Sequence, residues 1–513
     1  MFMILSVKFE EQQTNTAIMK NINTIKVNFK GGIISPAELY NILLAAAKSG
    51  LLYVRFGLRQ QLLLDVAIVE MKNITIDLDM LGINYEINKD EFPNIVSSYP
   101  AEEVFITNTW LSEGVYKDIF HLIDYRPRLK INVSDSDQSF TPFLTGNINW
   151  VASPSSSHFW HLFIRFPKTN IVYEWKDIVH TNDVAAFSKQ IEKVILQHPE
   201  KFYDNNSTSG DELYEMTRRT DFNTKPADGP LALAPFKLPY YEGLNSYNDK
   251  YWLGIYRRDE LFSIKFLKEV CQLCLKTRLG QLCSTPWKTI IVKGIEEENR
   301  KDWNYLLDKF QINVRHAANE LNFQVDDNSI DALKLKHHLV KYLNDDDTRT
   351  FGVCIGIKTK MKSEVFSSIL VRRKPLIRIG KFGFLYLYDI LCAKDFNPNE
   401  RTGYAYSKDN PKFLLAEQLR RAVLSYYKYH ADKKEEEVII QGIKKIIIPL
   451  EKEKDIVYQC KNCLTVYDEQ VGEPENGIDP GTLFKELPNT YCCIVCDATK
   501  ENFVAVKKEA IGL

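Results

Sequence analysis

The segments YQCKNC (458–463) and YCCIVC (491–496) place two Cys-x2-Cys pairs on either side of a 29-residue arm. In a Cys-x2-Cys turn both sulfurs point at one centre. Two such turns facing each other make a tetrahedral all-sulfur cage, which selects Zn or Fe over Mg or Ca. The expected ligands are Cys460, Cys463, Cys493 and Cys496, with Cys492 a bystander because its use would give a Cys-x3-Cys turn. Five of the ten cysteines lie between Cys460 and Cys496, and none precedes Cys271. Disulfide frameworks scatter their cysteines, whereas a metal site clusters them. Spacing alone leaves zinc and iron open.

At 513 residues the chain exceeds one core, so several domains are expected. The formal net charge of −1 gives no basic excess to hold nucleic acid. The longest apolar stretch, 40–54, is interrupted by Lys48 and Ser49 and is too short to span a bilayer, so no membrane insertion is expected. MFMILSVKFEEQQ lacks a basic segment before its apolar run, a poor secretory signal, and the expected location is the cytoplasm.

Residues 24–29 alternate as a strand does. Ser35 and Pro36 then start a helix that ends at Gly50, followed by strands at 51–56 and 61–68. The order recurs with LGIYRRDE (253–260), Ser263 as a helix cap, a helix at 264–277, and a last strand at 287–295. An internal duplication of an α+β, ferredoxin-like unit accounts for this, each sheet burying one face under its helix. Further strands are expected at 129–135 and 158–166. The Asn-, Ser-, Gly- and Pro-rich stretches within 204–250 read as a linker or arm. A long helix is expected at 413–437, then a strand-like segment at 439–450. The expected divisions are 24–203 (24–100 and 101–203), the linker 204–250, 251–450, and 456–506.

Around the cysteines, Tyr458, Tyr467, Phe484, Tyr491 and Phe503 are expected to form an aromatic core, and the arm GEPENGIDPGTLFKELP (472–488) has turn residues in place of long strands. Over 456–513 there are nine Asp/Glu against five Lys. Residues 456–506 resemble rubredoxin through YQCKNC, VYD, the arm and the second Cys-x2-Cys. The resemblance implies one iron held by Cys460, Cys463, Cys493 and Cys496, carrying single electrons to and from a redox partner protein, with backbone N–H groups aimed at the sulfurs. That family usually has glycine after each cysteine pair, where Leu464 and Asp497 stand here; Ile494 replaces its usual proline and Tyr491 its usual tryptophan.

The segment 31–64 resembles the ferredoxin-like half-domain of sirohaem-dependent sulfite and nitrite reductases, and STPWKTIIVKGI (284–295) resembles part of its second copy. In that family a basic residue of a Thr-x-Arg-Gln motif touches a sirohaem carboxylate. GLRQQ (57–61) keeps Arg59 and Gln60 with Gly57 for the threonine, so the resemblance makes Arg59 a candidate cofactor contact. The plainer reading of Arg59 is an exposed cation at a strand end. The second copy has Thr285, then Trp287–Lys288. The family's four cluster cysteines are missing: Ser136 and Phe140 occupy one pair of places, and NTWLSEGVYKD (108–118) has none. Neither a 4Fe–4S cluster nor sirohaem is expected.

Cys271 and Cys274 on one helix read as core residues, and the two histidines of HFWH (158–161) fall on opposite faces of a strand and cannot share a metal. The sequence has no catalytic-triad signature, P-loop or G-x-G-x-x-G. Three readings follow. The first is an electron carrier, more than a reductase, whose body docks it to an oxidoreductase in nitrite or sulfite metabolism. The second is an oxidoreductase binding a tetrapyrrole or small anion between the half-domains, near Arg59 and VRRK (371–374). The third is a non-redox scaffold stapled by zinc.

Overall fold

The computed structural model describes residues 22–511 apart from 107–108, 219–220, 234, 315–317, 361–364, 380–381, 401 and 453–455. The N-terminal segment read above for a secretory signal lies outside them. The chain forms two compact units that divide at Tyr426/Tyr427, inside the helix Lys412–Lys452. That helix also contains the segment 439–450 expected as a strand. Isoleucine-rich sequence favours strand, but once a helix is nucleated each added residue gains a hydrogen bond, and propagation from the preceding turns prevails.

The body opens with the strand Ile22–Val27 and the helix Pro36–Lys48, whose first turn is capped by the Ser35 hydroxyl accepting from the Glu38 amide, with Pro36 at the first helical position. The strands Tyr53–Phe56, Leu62–Ala67 and Tyr85–Ile87 complete an antiparallel sheet with Ile22–Val27. A second sheet contains Gly243–Tyr247, Lys250–Ile255, Ile290–Ile295 and Leu282–Ser284. Each sheet takes its fifth strand from the other half. Ile33–Ile34 pairs with Leu282–Cys283, and Phe262–Ser263 pairs with Tyr53–Val54. Both exchanged segments lie immediately before a helix, Pro36–Lys48 in one half and Ile264–Lys276 in the other. Ser263 is extended, and its hydroxyl makes no capping bond.

The helices pack on each other, Gln272 Nε2 donating to Tyr40 Oη at 3.2 Å. Leu39, Ile42 and Leu43 share one core with Phe266, Leu267, Val270, Cys271 and Cys274. The two half-domains thus bury a common core, where the sequence had suggested a separate layer under each helix.

The duplication extends further than the sequence indicated. In one sheet Val96–Ser97, Ile131–Ser134 and Ile148–Ala152 run parallel and Phe159–Arg165 turns antiparallel. In another, Phe323–Val325, Ile355–Lys358 and Ile369–Ile379 run parallel and Phe382–Ala393 turns antiparallel. The stretch 204–250, expected as linker, contains the helix Gly210–Thr217 and the strands Thr224–Pro226 and Gly243–Tyr247. Thr224–Pro226 pairs with Asp177–Val179, distant in sequence, and Gly243–Tyr247 forms a hairpin with Lys250–Ile255, so strand pairing orders these two segments despite their turn-rich composition.

Phe262 is fully buried in the exchanged strand and meets the Phe56 ring edge-on at 5.2 Å. Phe262→Ala should destabilise the body by about 3–5 kcal/mol, read as a shift in the urea midpoint of the full chain. A loss below about 1 kcal/mol would mean that the exchanged strand contributes little.

Candidate metal centre and the cavity of the body

In the tail unit the strands Ile456–Cys460, Val466–Tyr467 and Phe503–Lys507 form an antiparallel sheet with Ile456–Cys460 central. The two cysteine turns have the same backbone bonding. The Cys460 amide donates to Thr465 O at 2.8 Å and the Leu464 amide to Cys460 O at 2.9 Å. In the second turn Cys493 donates to Ala498 O at 2.8 Å and Asp497 to Cys493 O at 3.0 Å. The Thr465 amide bonds the Cys463 sulfur, and the Ala498 amide bonds the Cys496 sulfur. Leu464 and Asp497 hold φ of 63° and 56°. The turns therefore keep the left-handed geometry that favours glycine, without glycine.

The four sulfurs converge within 4.8 Å of one another, with Cys460–Cys496 at 3.7 Å and Cys463–Cys493 at 3.4 Å. A tetrahedron of thiolates about 2.3 Å from a metal has edges of about 3.8 Å, so the cage is near the size a single ion requires. Cys460 and Cys493 are buried, Cys463 and Cys496 partly exposed. Cys492 is exposed and outside the group. Hydrogen bonds from the Thr465 hydroxyl and amide push the Cys463 thiol down to about 6. The Ala498 amide lowers Cys496, but the neighbouring thiols outweigh it and raise Cys496 to about 12.

The five expected aromatics pack together under the cage. Phe484 stacks on Tyr458 at 4.1 Å and touches Tyr467, Tyr491 and Phe503. Two of the hydroxyls donate to named acceptors, Tyr467 to Thr482 O at 2.9 Å and Tyr491 to Glu473 Oε1 at 2.8 Å. This is a mononuclear tetrathiolate protein fold: one ion's worth of sulfur on two paired turns, over an aromatic floor.

The rubredoxin family model matches residues 457–503. Rubredoxin 4 of Rhodococcus sp. (strain Q15) is 45% identical over 53 residues, 10% of this chain and 88% of that protein. The high molecular weight rubredoxin of Moorella thermoacetica is 29% identical over 165 residues, 26% of this chain and 71% of that protein. The chain belongs to the rubredoxin family through this C-terminal domain. In fold, the structure of the Mycobacterium tuberculosis NirA protein matches with a TM-score of 0.62 at 14% identity, covering 79% of this chain and 81% of that one. The body thus has a NirA-like α+β fold.

In the body, Arg59 is buried, not exposed as the plainer reading had it. Its guanidinium donates to Asn94 O at 2.7 and 3.0 Å, to Ile131 O at 3.1 Å and to Asn132 Oδ1 at 3.2 Å. Burial pushes it down to about 10. Arg59 also lines a cavity of about 1080 Å³. The VRRK stretch does not line this cavity. Arg372 pairs with Asp389 at 2.7 Å, Arg373 with Asp331 at 3.0 Å, and Lys374 with both Asp389 and Asp409. The cations that join Arg59 on the cavity wall include Lys26, Lys130 and Arg165, which sequence reading did not single out. They come from separate strands or strand ends, and no local motif connects them.

The turn 57–61 has a counterpart at 285–289. Gln60 donates to Gly57 O, and Lys288 donates to Thr285 O, each from a residue near φ 60°. Arg59 thus corresponds to Trp287, whose Nε1 donates to Phe140 O at 2.7 Å. Phe140, at an expected cluster-cysteine place, is fully buried between Phe105 (4.9 Å) and Tyr241 (5.3 Å), with Trp287 beyond Tyr241 at 6.0 Å. Ser136 is buried nearby in sequence, and among the described residues no metal-ligating group of three or more forms outside the four tail cysteines. These residues do not fit a 4Fe–4S cluster: the place offers packed rings in place of thiolates. Cys271 and Cys274 lie in the half-domain core, and burial pushes Cys271 up to about 12. His161 is buried and His158 exposed.

Leucine in the left-handed region costs about 1 kcal/mol or more relative to glycine. Leu464→Gly in the full chain should raise the temperature at which the cage releases metal to a chromogenic chelator. An unchanged or lower release temperature would show that the Leu464 side chain compensates for its backbone.

Proposed function

We propose that this protein is a one-electron carrier whose redox centre is a single iron held by Cys460, Cys463, Cys493 and Cys496. The observation that carries this reading is the convergence of four sulfurs within 4.8 Å on two matched turns. Iron bound there supplies a ferric/ferrous couple. The chain's own contribution is to fix the sulfurs in a small volume and to direct the Thr465 and Ala498 amides at Cys463 and Cys496, favouring the more negative reduced state. Rigid ligands also limit rearrangement when the charge changes by one.

Leu464, Ile494 and Val495 are exposed beside the partly exposed Cys463 and Cys496. A redox partner approaching this face can shed water close to the cage. The body is the docking module for that partner, and the resemblance of residues 31–64 and 284–295 to sirohaem-dependent sulfite and nitrite reductases supports an oxidoreductase of nitrite or sulfite metabolism. The cytoplasm is the proposed location. Among the described residues no helix is long and apolar enough to cross a membrane.

The full-length protein, purified from iron-replete cells, should be red, hold one iron per chain, and bleach on addition of dithionite. Cys493→Ser should remove most of the visible absorption while far-ultraviolet circular dichroism stays essentially unchanged. A colourless protein with stoichiometric zinc would sink the redox reading and favour the zinc-stapled scaffold.

A further inference from the structure

We infer that residues 227–233 are a strap closed over one face of a sheet in the body at neutral pH, and that protonation of His161 beneath it opens the strap. The face belongs to the sheet that contains Ile148–Ala152 and Phe159–Arg165. Side chains alternate across a strand, so Trp160, Leu162 and Ile164 enter the main core while His161 and Phe163 point to the other side. Val151, directly opposite His161 in the sheet, points the same way. On that side Phe143, Leu144, Val151 and Phe163 form a small buried cluster, and Leu231 and Leu233 of the strap pack against it.

The strap is tied firmly at its two ends and lightly between them. Before it, Thr224–Pro226 pairs with Asp177–Val179. Beyond it, Phe236 and Leu238 are buried, Phe236 meeting Phe366 edge-on at 5.5 Å and the Leu238 amide donating to Gly352 O at 3.0 Å. None of residues 227–233 is itself buried, and none lies in a helix or strand. The Ala227 amide donates to Lys176 O at 3.2 Å, the Ser155 hydroxyl to Asp228 Oδ2 at 3.3 Å, and the Leu231 amide to Glu174 Oε1 at 3.0 Å. A segment held this way can lift without unfolding the sheet below it.

His161 sits where these attachments meet. Its side chain is buried, and Nδ1 has no hydrogen-bond partner among the described residues. The Glu174 Oε1 that holds the Leu231 amide lies 4.0 Å from Nδ1, beyond hydrogen-bond reach. Burial pushes the imidazole below its ordinary value, and the carboxylates that face it, Glu174 and Asp228 of the strap, oppose this only in part. The closed strap therefore favours neutral His161. Lifting the strap returns the ring to water, where a histidine titrates near about 6.5. The open form then binds more protons than the closed form. Closure is fully supported above about pH 6.5 and weakens as the pH falls below it, by up to about tenfold at pH 5.5. Opening uncovers the apolar cluster under Leu231 and Leu233.

Hydrogen–deuterium exchange of the full-length protein tests this, read by mass spectrometry on peptides spanning 227–233 and corrected for the intrinsic pH dependence of exchange. Protection of the strap should fall several-fold, up to about tenfold, from pH 7.5 to pH 5.5, while the helix Val184–Gln197 keeps constant protection. His161→Gln should abolish the fall. Glu174→Gln removes a carboxylate that favours the charged ring, so it should keep or enlarge the fall. Leu233→Asp should leave the strap unprotected at both pH values. A strap unprotected at pH 7.5, equal protection at both pH values, or a fall that survives His161→Gln overturns the inference. Loss of the fall in Glu174→Gln does the same, and that variant decides the matter if His161→Gln does not fold.

Discussion

The architecture of the body depends on an exchange of two very short strands. Ile33–Ile34 completes the sheet of the second half, and Phe262–Ser263 completes that of the first. Each pair precedes a helix, and those two helices share one core. Neither half can bury its apolar face without the other, so the half-domains are coupled. The same relation sets the turns 57–61 and 285–289 in equivalent positions, one directing Arg59 to the cavity wall and the other directing Trp287 to Phe140.

Two equivalent places have thereby acquired different physical characters. Around Trp287, Phe140, Tyr241 and Phe105 the space is closed by ring packing. Around Arg59 it remains a wide cavity that Lys26, Lys130 and Arg165 also line. Aromatic rings gain their stability by excluding water and neighbouring voids, whereas a cluster of cations is stabilised when an anion joins it.

The tail cage was legible because a Cys-x2-Cys pair is a local device. The spacing of Cys460 and Cys463, and of Cys493 and Cys496, already dictates turns that aim sulfurs together, and the five aromatics around them had only one small core to fill. The body was legible where periodicity was local, as in the helix Pro36–Lys48 and its capping Ser35. It was not legible where long-range pairing decides. Residues 204–250 look like linker but contribute a helix and strands, and VRRK looks like a binding patch but is taken up by Asp331, Asp389 and Asp409.

The sequence by itself determined the chemistry of the metal site: four thiols, their spacing, and the absence of any cysteine before Cys271. It did not determine the turn conformation, since Leu464 and Asp497 replace the expected glycines. Only the tertiary structure shows both held at positive φ by the same pair of backbone hydrogen bonds. Nor could it assemble the cavity. Lys26, Lys130 and Arg165 lie in separate elements, and only sheet pairing and packing bring them to the wall that Arg59 shares, because charges far apart in sequence interact only when the fold brings them close.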